Sequence, residues 1–159
     1  MTFTSGEYES MGRYATIDNL AESNNDYSFN WHLLQARFNY NNSYNNEGDT
    51  DKANLPLAIR RDGATLGYAH TVETFTSFKS ISFDLKLSNY TTDSLKVQLI
   101  DVSTKAIVKE TAIKNTSNNY ENVSYEFNYS GADVYLQFII DITVEKDHII
   151  YIDNLNIQL

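Results

Sequence analysis

Strict alternation of apolar and polar residues is the feature of this sequence that most constrains its fold. The segment ISFDLKL (residues 81–87) places an apolar residue at every second position, and LKVQL (95–99) repeats the pattern after the polar segment NYTTDS. A period of two puts alternate side chains on opposite faces of a β-strand. The two segments therefore predict a β-hairpin with one apolar and one polar face.

The same pattern predicts further strands on both sides of this hairpin. After it, strands are expected at 106–113, 123–129, 134–140 and 148–159, with a turn at Ser130-Gly131 and a bulge near Asp153-Asn154. Before it, short strands are expected at 2–3, 17–18, 31–38, 57–60 and 65–69. Residues 31–38 (WHLLQARF) have a helical turn as their alternative. The polar loop 39–54 separates two of these strands.

Strands at this spacing, with no convincing long helix, predict an all-β fold that is either a sandwich or a barrel. A chain of 159 residues is long enough to bury a core as one domain, so we expect residues 1–159 to form a single β-sandwich domain. The sequence has no cysteine, which excludes disulfides, thiolate zinc sites and cysteine nucleophiles.

The net charge of the chain limits the kinds of partner that it can bind. The chain has 12 basic and 21 acidic residues, a formal net charge of −9, and its longest basic run is Arg60-Arg61. Proteins that grip phosphates need a basic face, so we expect no nucleic acid partner. No apolar stretch approaches the roughly 20 residues of a membrane-spanning helix, so no membrane insertion is expected.

Catalytic motifs are not found in the sequence. The histidines His32, His70 and His148 have neither metal-ligand spacing nor a neighbouring nucleophile motif. Each is interpreted as a surface or strand-packing residue. We therefore expect a protein that is not an enzyme, with a hydrolase or lyase on the same fold as the remaining alternative.

Strand parity predicts a binding face, because residues opposite the core side form the outer surface of a sheet. Hydrogen-bonding groups beside a tyrosine ring suit sugar hydroxyls and C–H faces, although a plain solvated face needs polar residues too. A second surface is the loop aromatics Tyr40 and Tyr44, with Phe38, Tyr68 and Tyr120 at the same rim. Trp31 is assigned to the core in preference to that rim. The residues predicted for the outer face are Arg60, Asp84, Lys86, Gln98, Tyr135 and Gln137.

Several segments together resemble a known group of proteins: GRYATIDNL, NWHLLQARF, LPLAIRRDGATLGY, ISFDLKL and IIYIDNLNI. They are similar to the jelly-roll accessory modules of secreted bacterial hydrolases and nucleases, which are related to carbohydrate-binding and galactose-binding-like domains. The resemblance implies an all-β, two-sheet antiparallel jelly-roll β-sandwich, in a bacterial protein that is extracellular or at the cell surface. It also implies a structural calcium ion between the first and last strands, held by Glu7 and Asp153. The alternative is that Glu7 is solvated and Asp153 caps a bulge.

These observations predict a non-catalytic module that recognises a carbohydrate and targets a larger extracellular protein to it. The chain has a single tryptophan, which differs from modules with an aromatic platform. The alternative function is a structural or adhesive β-sandwich that contacts other proteins at a cell surface or in an assembly. The expected partner is accordingly a glycan or a cell-surface protein.

Overall fold

The computed structural model describes residues 15–23, 28–38, 56–87, 94–114, 119–141 and 149–159. Within these ranges the chain forms nine β-strands and no helix. The strands are β1 (Ala15–Ser23), β2 (Ser28–Phe38), β3 (Leu57–Arg60), β4 (Tyr68–Thr71), β5 (Phe75–Leu87), β6 (Ser94–Asp101), β7 (Ile107–Lys114), β8 (Glu121–Ile140) and β9 (Ile149–Gln158).

Strand pairing closes into a ring. Its order is β2, β3, β9, β5, β8 and β4, after which β4 pairs with β2 again, and every pairing is antiparallel. Strand β1 extends the ring from β2, while β6 and β7 extend it from β8. The described strands thus form a six-stranded barrel with additional strands at its margins.

Strand β8 belongs to both sides of this barrel. Its first part pairs with β5, and residues 134–140 pair with β6. Phe75 pairs with Val134 but Ser77 pairs with Ser130, so β8 bulges around Gly131. A bulge bends a strand and increases its twist. The predicted turn at Ser130-Gly131 was therefore wrong, because one long strand bends at this point instead of ending.

The core lies inside the ring. Phe138 of β8 stacks on Trp31 of β2 with ring centroids 6.2 Å apart, and meets Phe83 of β5 edge to face at 5.3 Å. All three side chains are fully buried. The apolar face of β5 therefore points at the apolar face of the second part of β8, and the polar faces of these strands point in opposite directions. The assignment of Trp31 to the core is confirmed.

A close backbone approach positions the short strand β4. A Cβ atom at Gly67, just before β4, would collide with the carbonyl oxygen of Arg60. The carbonyl oxygen of Gly67 accepts a hydrogen bond of 3.0 Å from the N–H group of Ile140. Because glycine has no Cβ atom, the chain passes close to β3 here, and β4 can then lie between β2 and β8.

The predicted all-β, antiparallel class is confirmed. The pairing does not divide the strands into two separate sheets, because β2–β3 and β5–β8 contacts join the two layers. Residues 31–38 lie within strand β2 and form no helical turn. No helix capable of crossing a membrane is found in the ranges that the structure describes. That residues 1–159 form a single domain remains a prediction.

Candidate functional site

Side chains from β2, β4, β8, β6 and β7 lie in one row across neighbouring strands. His32 is directly opposite His70, and His70 is opposite Gln137. Gln137 is in turn opposite Gln98, which is opposite Glu110. Directly opposed residues share a face of the sheet. The five residues therefore form a continuous polar row, termed here the cross-strand row.

Alternation within the strands explains why the two histidines point outward. Trp31 and Leu33, on either side of His32, are fully buried, and so is Ala69, next to His70. Successive side chains of a strand point to opposite faces. The histidines are half-buried and lie on the outer face because their neighbours fill the core.

Aromatic rings group at one end of the cross-strand row. The rings of His32 and His70 stack with centroids 4.9 Å apart, and Tyr68 stacks on His32 at 5.8 Å. Tyr135 of β8 lies 4.7 Å from His70 with its ring tilted by 39°. Burial raises the pKa of Tyr135 above its ordinary value, and the neighbouring Tyr68 raises it further. The Tyr135 hydroxyl is thus kept protonated and able to donate a hydrogen bond.

Backbone contacts hold this group of rings in place. The Nδ1–H group of His70 donates to the carbonyl oxygen of Thr71 over 2.9 Å. The buried Thr71 hydroxyl donates to the carbonyl oxygen of Glu73 at 2.9 Å and accepts from the N–H of Leu136 at 3.2 Å. These contacts tie the end of β4 to β8.

Amide groups continue the row toward β7. The Nε2 group of Gln137 donates to Oε1 of Gln98 over 2.8 Å, and Nε2 of Gln98 donates to the Glu110 carboxylate. Each amide is therefore oriented by its neighbour before any ligand arrives. Such preorganisation lowers the entropy cost of binding.

A cleft of about 540 Å³ opens beside the rings. One wall is the turn between β6 and β7, and the other is the segment that follows β4. Among the described residues, its lining consists of His32, His70, Thr71, Val72, Thr74, Val102, Lys105 and Tyr135.

The turn that carries Lys105 is rigidly built. One carboxylate oxygen of Asp101 accepts hydrogen bonds from the N–H groups of Ser103 and Thr104 at 2.9 and 2.7 Å. These bonds lower the pKa of Asp101 to about 2, with the Thr104 N–H as the largest cause. Lys105 has a φ of +61°, a left-handed conformation that favours glycine. Its Nζ atom lies 5.5 Å from the centroid of the Tyr135 ring.

The structure brings three of the predicted face residues together. Gln98 and Gln137 belong to the cross-strand row, and Tyr135 lies beside it on the same strand as Gln137. The other three residues lie elsewhere. Because β5 faces the second part of β8 across the core, Asp84 and Lys86 project from the far side of the barrel. The expectation of one shared face for these residues was wrong.

The remaining three residues have partners of their own. Asp84 accepts hydrogen bonds from the side-chain amides of Asn122 and Asn154 at 2.8 and 2.9 Å. The ammonium group of Lys86 lies 5.6 Å from the centroid of the Tyr120 ring. Arg60, at the end of β3, donates to Oε1 of Gln35 over 3.3 Å and forms an ion pair with Asp62 at 3.4 Å. These side chains are not part of the cleft lining described above.

The other predicted sites are only partly described. Glu7, Tyr40, Tyr44 and the third histidine, His148, lie outside the described residues. Asp153 is fully buried in β9, and its carboxylate accepts a hydrogen bond from the N–H of Asn154, which has a φ of +50°. The described residues contain no group of three or more His, Asp or Glu arranged to hold a metal. The calcium site remains a prediction.

Sequence reasoning missed His32, His70 and Lys105. Each histidine points outward because its neighbours along the strand point into the core. The alternation is visible in the sequences WHLL and YAHT. Their contact depends on the pairing of β2 with β4, which alternation alone does not reveal. No sequence signal marks Lys105, because lysine is unusual in a left-handed turn position.

The fold is of the class seen in carbohydrate-binding modules. A variant of a family 29 module, CBM29-2, matches with a TM-score of 0.57 and 15% identity over 89% of this chain and 88% of that chain. Another CBM29-2 variant, complexed with cellulohexaose, matches with a TM-score of 0.57 and 15% identity over 91% and 90% of the two chains. TmCBM61, in complex with β-1,4-galactotriose, matches at 0.51 and 8% identity over 80% and 87%. Likeness at these identities shows the fold alone.

No protein-family model and no curated protein sequence matches the chain.

Proposed function

We propose that this chain is a non-catalytic carbohydrate-binding module and that the cleft, together with the cross-strand row, is its glycan-binding surface. The observation that carries the proposal is the row itself, in which ordered amides and imidazoles adjoin the Tyr135 ring. Sugars present many hydroxyl groups and flat C–H faces, and such a surface offers hydrogen bonds to the former and a ring to the latter.

The dimensions of the surface support an extended ligand. A volume of about 540 Å³ lies within the usual range for small-molecule sites. The cross-strand row runs outward from this cleft onto β8, so an additional sugar unit would meet Gln137, whose amide the buried Gln98 holds in place. The modules of similar fold complexed with cellulohexaose and β-1,4-galactotriose support a glycan in preference to other ligands.

Binding to a panel of soluble polysaccharides, measured by affinity electrophoresis and then by calorimetry, tests this proposal. Tyr135→Ala should weaken binding at least tenfold, because it removes the ring and a hydroxyl donor from the cleft, and tenfold corresponds to about 1.4 kcal/mol. Tyr125→Ala is the matched control, since Tyr125 is an exposed tyrosine of the same strand that does not line the cleft. Equal affinity for both variants and the parent would refute this choice of surface.

The wider role follows from the sequence resemblance. We propose a jelly-roll module that is extracellular or at the cell surface of a bacterium and that targets a larger protein to a glycan. A structural calcium ion at Glu7 and Asp153 is part of this proposal. Detection of the chain in secreted or surface fractions of its source would support the location, and purely cytosolic recovery would oppose it.

A second candidate function is protein binding through β7. This strand has one hydrogen-bonded neighbour, β6, among the described strands, and its Ile107 and Val108 are 53% and 37% exposed. An exposed edge strand can pair with another chain. Light scattering of the purified protein distinguishes the candidates: a stable multimer that Val108→Lys dissociates would favour the structural or adhesive role.

A further inference from the structure

The charge of the cleft differs in sign from that of the whole chain. The protein has a formal net charge of −9. The cleft lining nevertheless contains one lysine and two histidines and, within the described residues, no carboxylate. With 21 acidic residues among 159, an average set of eight residues would include about one carboxylate, whereas this lining has a lysine instead. The lining is therefore suited to a ligand that an acidic wall would repel.

Three carboxylates beside the cleft or along the cross-strand row accept hydrogen bonds from fixed donors. The Glu73 carboxylate accepts hydrogen bonds from the N–H and side-chain amide of Asn30 at 2.7 to 2.9 Å. Glu110 accepts from Gln98, and Asp101 accepts from its own turn. Lys105 forms no ion pair within the described part of the chain, and its side chain is exposed.

The position of Lys105 is imposed by the turn. The Lys105 N–H donates to the carbonyl oxygen of Asp101 at 2.9 Å, and the Asp101 N–H donates to the carbonyl oxygen of Ala106 at 2.9 Å. Left-handed conformations of residues other than glycine are strained and are concentrated at functional sites. Here the strained residue places a cation over Tyr135, the one tyrosine of the cleft lining among the described residues.

We infer that the ligand is an acidic saccharide whose anionic group, a carboxylate or a sulfate ester, sits beside Lys105 and His70. Tyr135 lies between these two residues, with its ring centroid 5.5 Å from the Lys105 ammonium and 4.7 Å from the His70 ring. An anion beside Lys105 meets an ammonium donor, and charge-assisted hydrogen bonds are stronger than neutral ones. The inference rests on the proposed function and names the ligand class for the same site.

Paired ligands that differ only in charge test the inference. Calorimetry would compare oligogalacturonate with its fully methyl-esterified form, and chondroitin with chondroitin sulfate, at fixed low salt. In one pair the more acidic member, oligogalacturonate or chondroitin sulfate, should bind about tenfold more tightly than its partner. Unsulfated chondroitin already carries glucuronate carboxylates, so the second pair tests the sulfate ester alone. The pair that shows the difference identifies the anionic group as carboxylate or sulfate. The preference should shrink as salt rises, because salt screens charges near the surface.

Two variants separate the role of Lys105 from the total charge of the protein. Lys105→Asn removes the cation and keeps a residue that tolerates a left-handed conformation, so the turn should survive while the preference for the acidic ligand is lost. Lys79→Gln is the matched control, because it removes one positive charge from an exposed position in β5 that does not line the cleft. This control should keep the preference.

The outcomes are distinct. Tighter binding of the acidic member that Lys105→Asn abolishes and Lys79→Gln leaves intact supports the inference. Equal affinity for both members of each pair, with Tyr135→Ala still weakening binding, overturns the inference and leaves the proposed function standing. Equal loss of the preference in both lysine variants also overturns it. No binding of any member of either pair, or of the neutral panel, overturns the proposed function as well.

Discussion

At position 105 a glycine variant should be more stable than an alanine variant, which reverses the usual order of these two residues. Glycine in place of alanine at an ordinary strand position destabilises a protein by roughly 0.5–1 kcal/mol. At a φ of +61° the alanine Cβ atom is strained, which costs about 1–2 kcal/mol. After subtraction of the extra unfolded-chain entropy of glycine, about 0.4–1 kcal/mol, Lys105→Gly should have the larger free energy of unfolding, by about 1 kcal/mol.

Urea denaturation followed by tryptophan fluorescence measures this difference. Trp31 is the only tryptophan of the sequence and is fully buried, so its emission should report the loss of the core. In a chain of this length, about 1 kcal/mol corresponds to a difference of roughly 2–4 °C in Tm. The comparison is made between Lys105→Gly and Lys105→Ala, so that the loss of the lysine side chain is common to both.

Lys109 provides the control, since it is an exposed lysine of the adjacent strand β7 without a positive φ. There the alanine variant should be the more stable of the two. If alanine were also the more stable variant at position 105, Lys105 would not adopt the left-handed conformation. The rigid presentation of its ammonium group would then lose its structural basis.

Other predictions address the core, the turn and the metal. Phe138→Ala should lower the free energy of unfolding by about 3–5 kcal/mol, because a fully buried ring that contacts Trp31 is removed; a loss below about 1 kcal/mol in urea denaturation would contradict the packing. The lowered pKa of Asp101 means that its carboxylate stabilises the fold above pH 3.8, and that this contribution disappears as pH falls toward about 2. The stability advantage of the parent over Asp101→Asn should therefore shrink across that interval, and a constant difference would count against the turn contacts. Calcium should raise the Tm of the parent and not that of Asp153→Asn; a melt indifferent to calcium would remove the predicted ion.

The strands of the second half were largely predictable from the sequence. A strand with one face on the core and the other in water alternates apolar and polar residues, and this pattern is visible within each segment. Segments 81–87 and 95–99 both lie within observed strands, and the bulge near Asp153 is present. The bend of β8 at Gly131 was misread as a turn, since a bulge and a turn interrupt alternation in the same way. Distinguishing them requires knowing that β5 pairs across the interruption.

The candidate site was predictable only in part, for a similar reason. Parity identifies which residues point outward, and it placed Gln98 and Gln137 together correctly on one face. It carries no information about which layer a strand joins, so Asp84 was grouped with residues on the far side of the barrel. The contact of His32 with His70 arises from β2–β4 pairing, which is set by the closure of the whole ring.

Ring closure also constrains how the protein is made. Strand β3 lies early in the sequence, yet one of its two partners, β9, comes after all the other described strands, with Leu57 paired to Ile152. Contacts between distant segments form slowly because the loop between them must first be closed. During synthesis, β3 and β5 therefore remain exposed at their β9-facing edges until residues 149–158 have left the ribosome. A truncated chain that ends before β9 should aggregate, and we expect the cleft to form only after residues 149–158 have been synthesised.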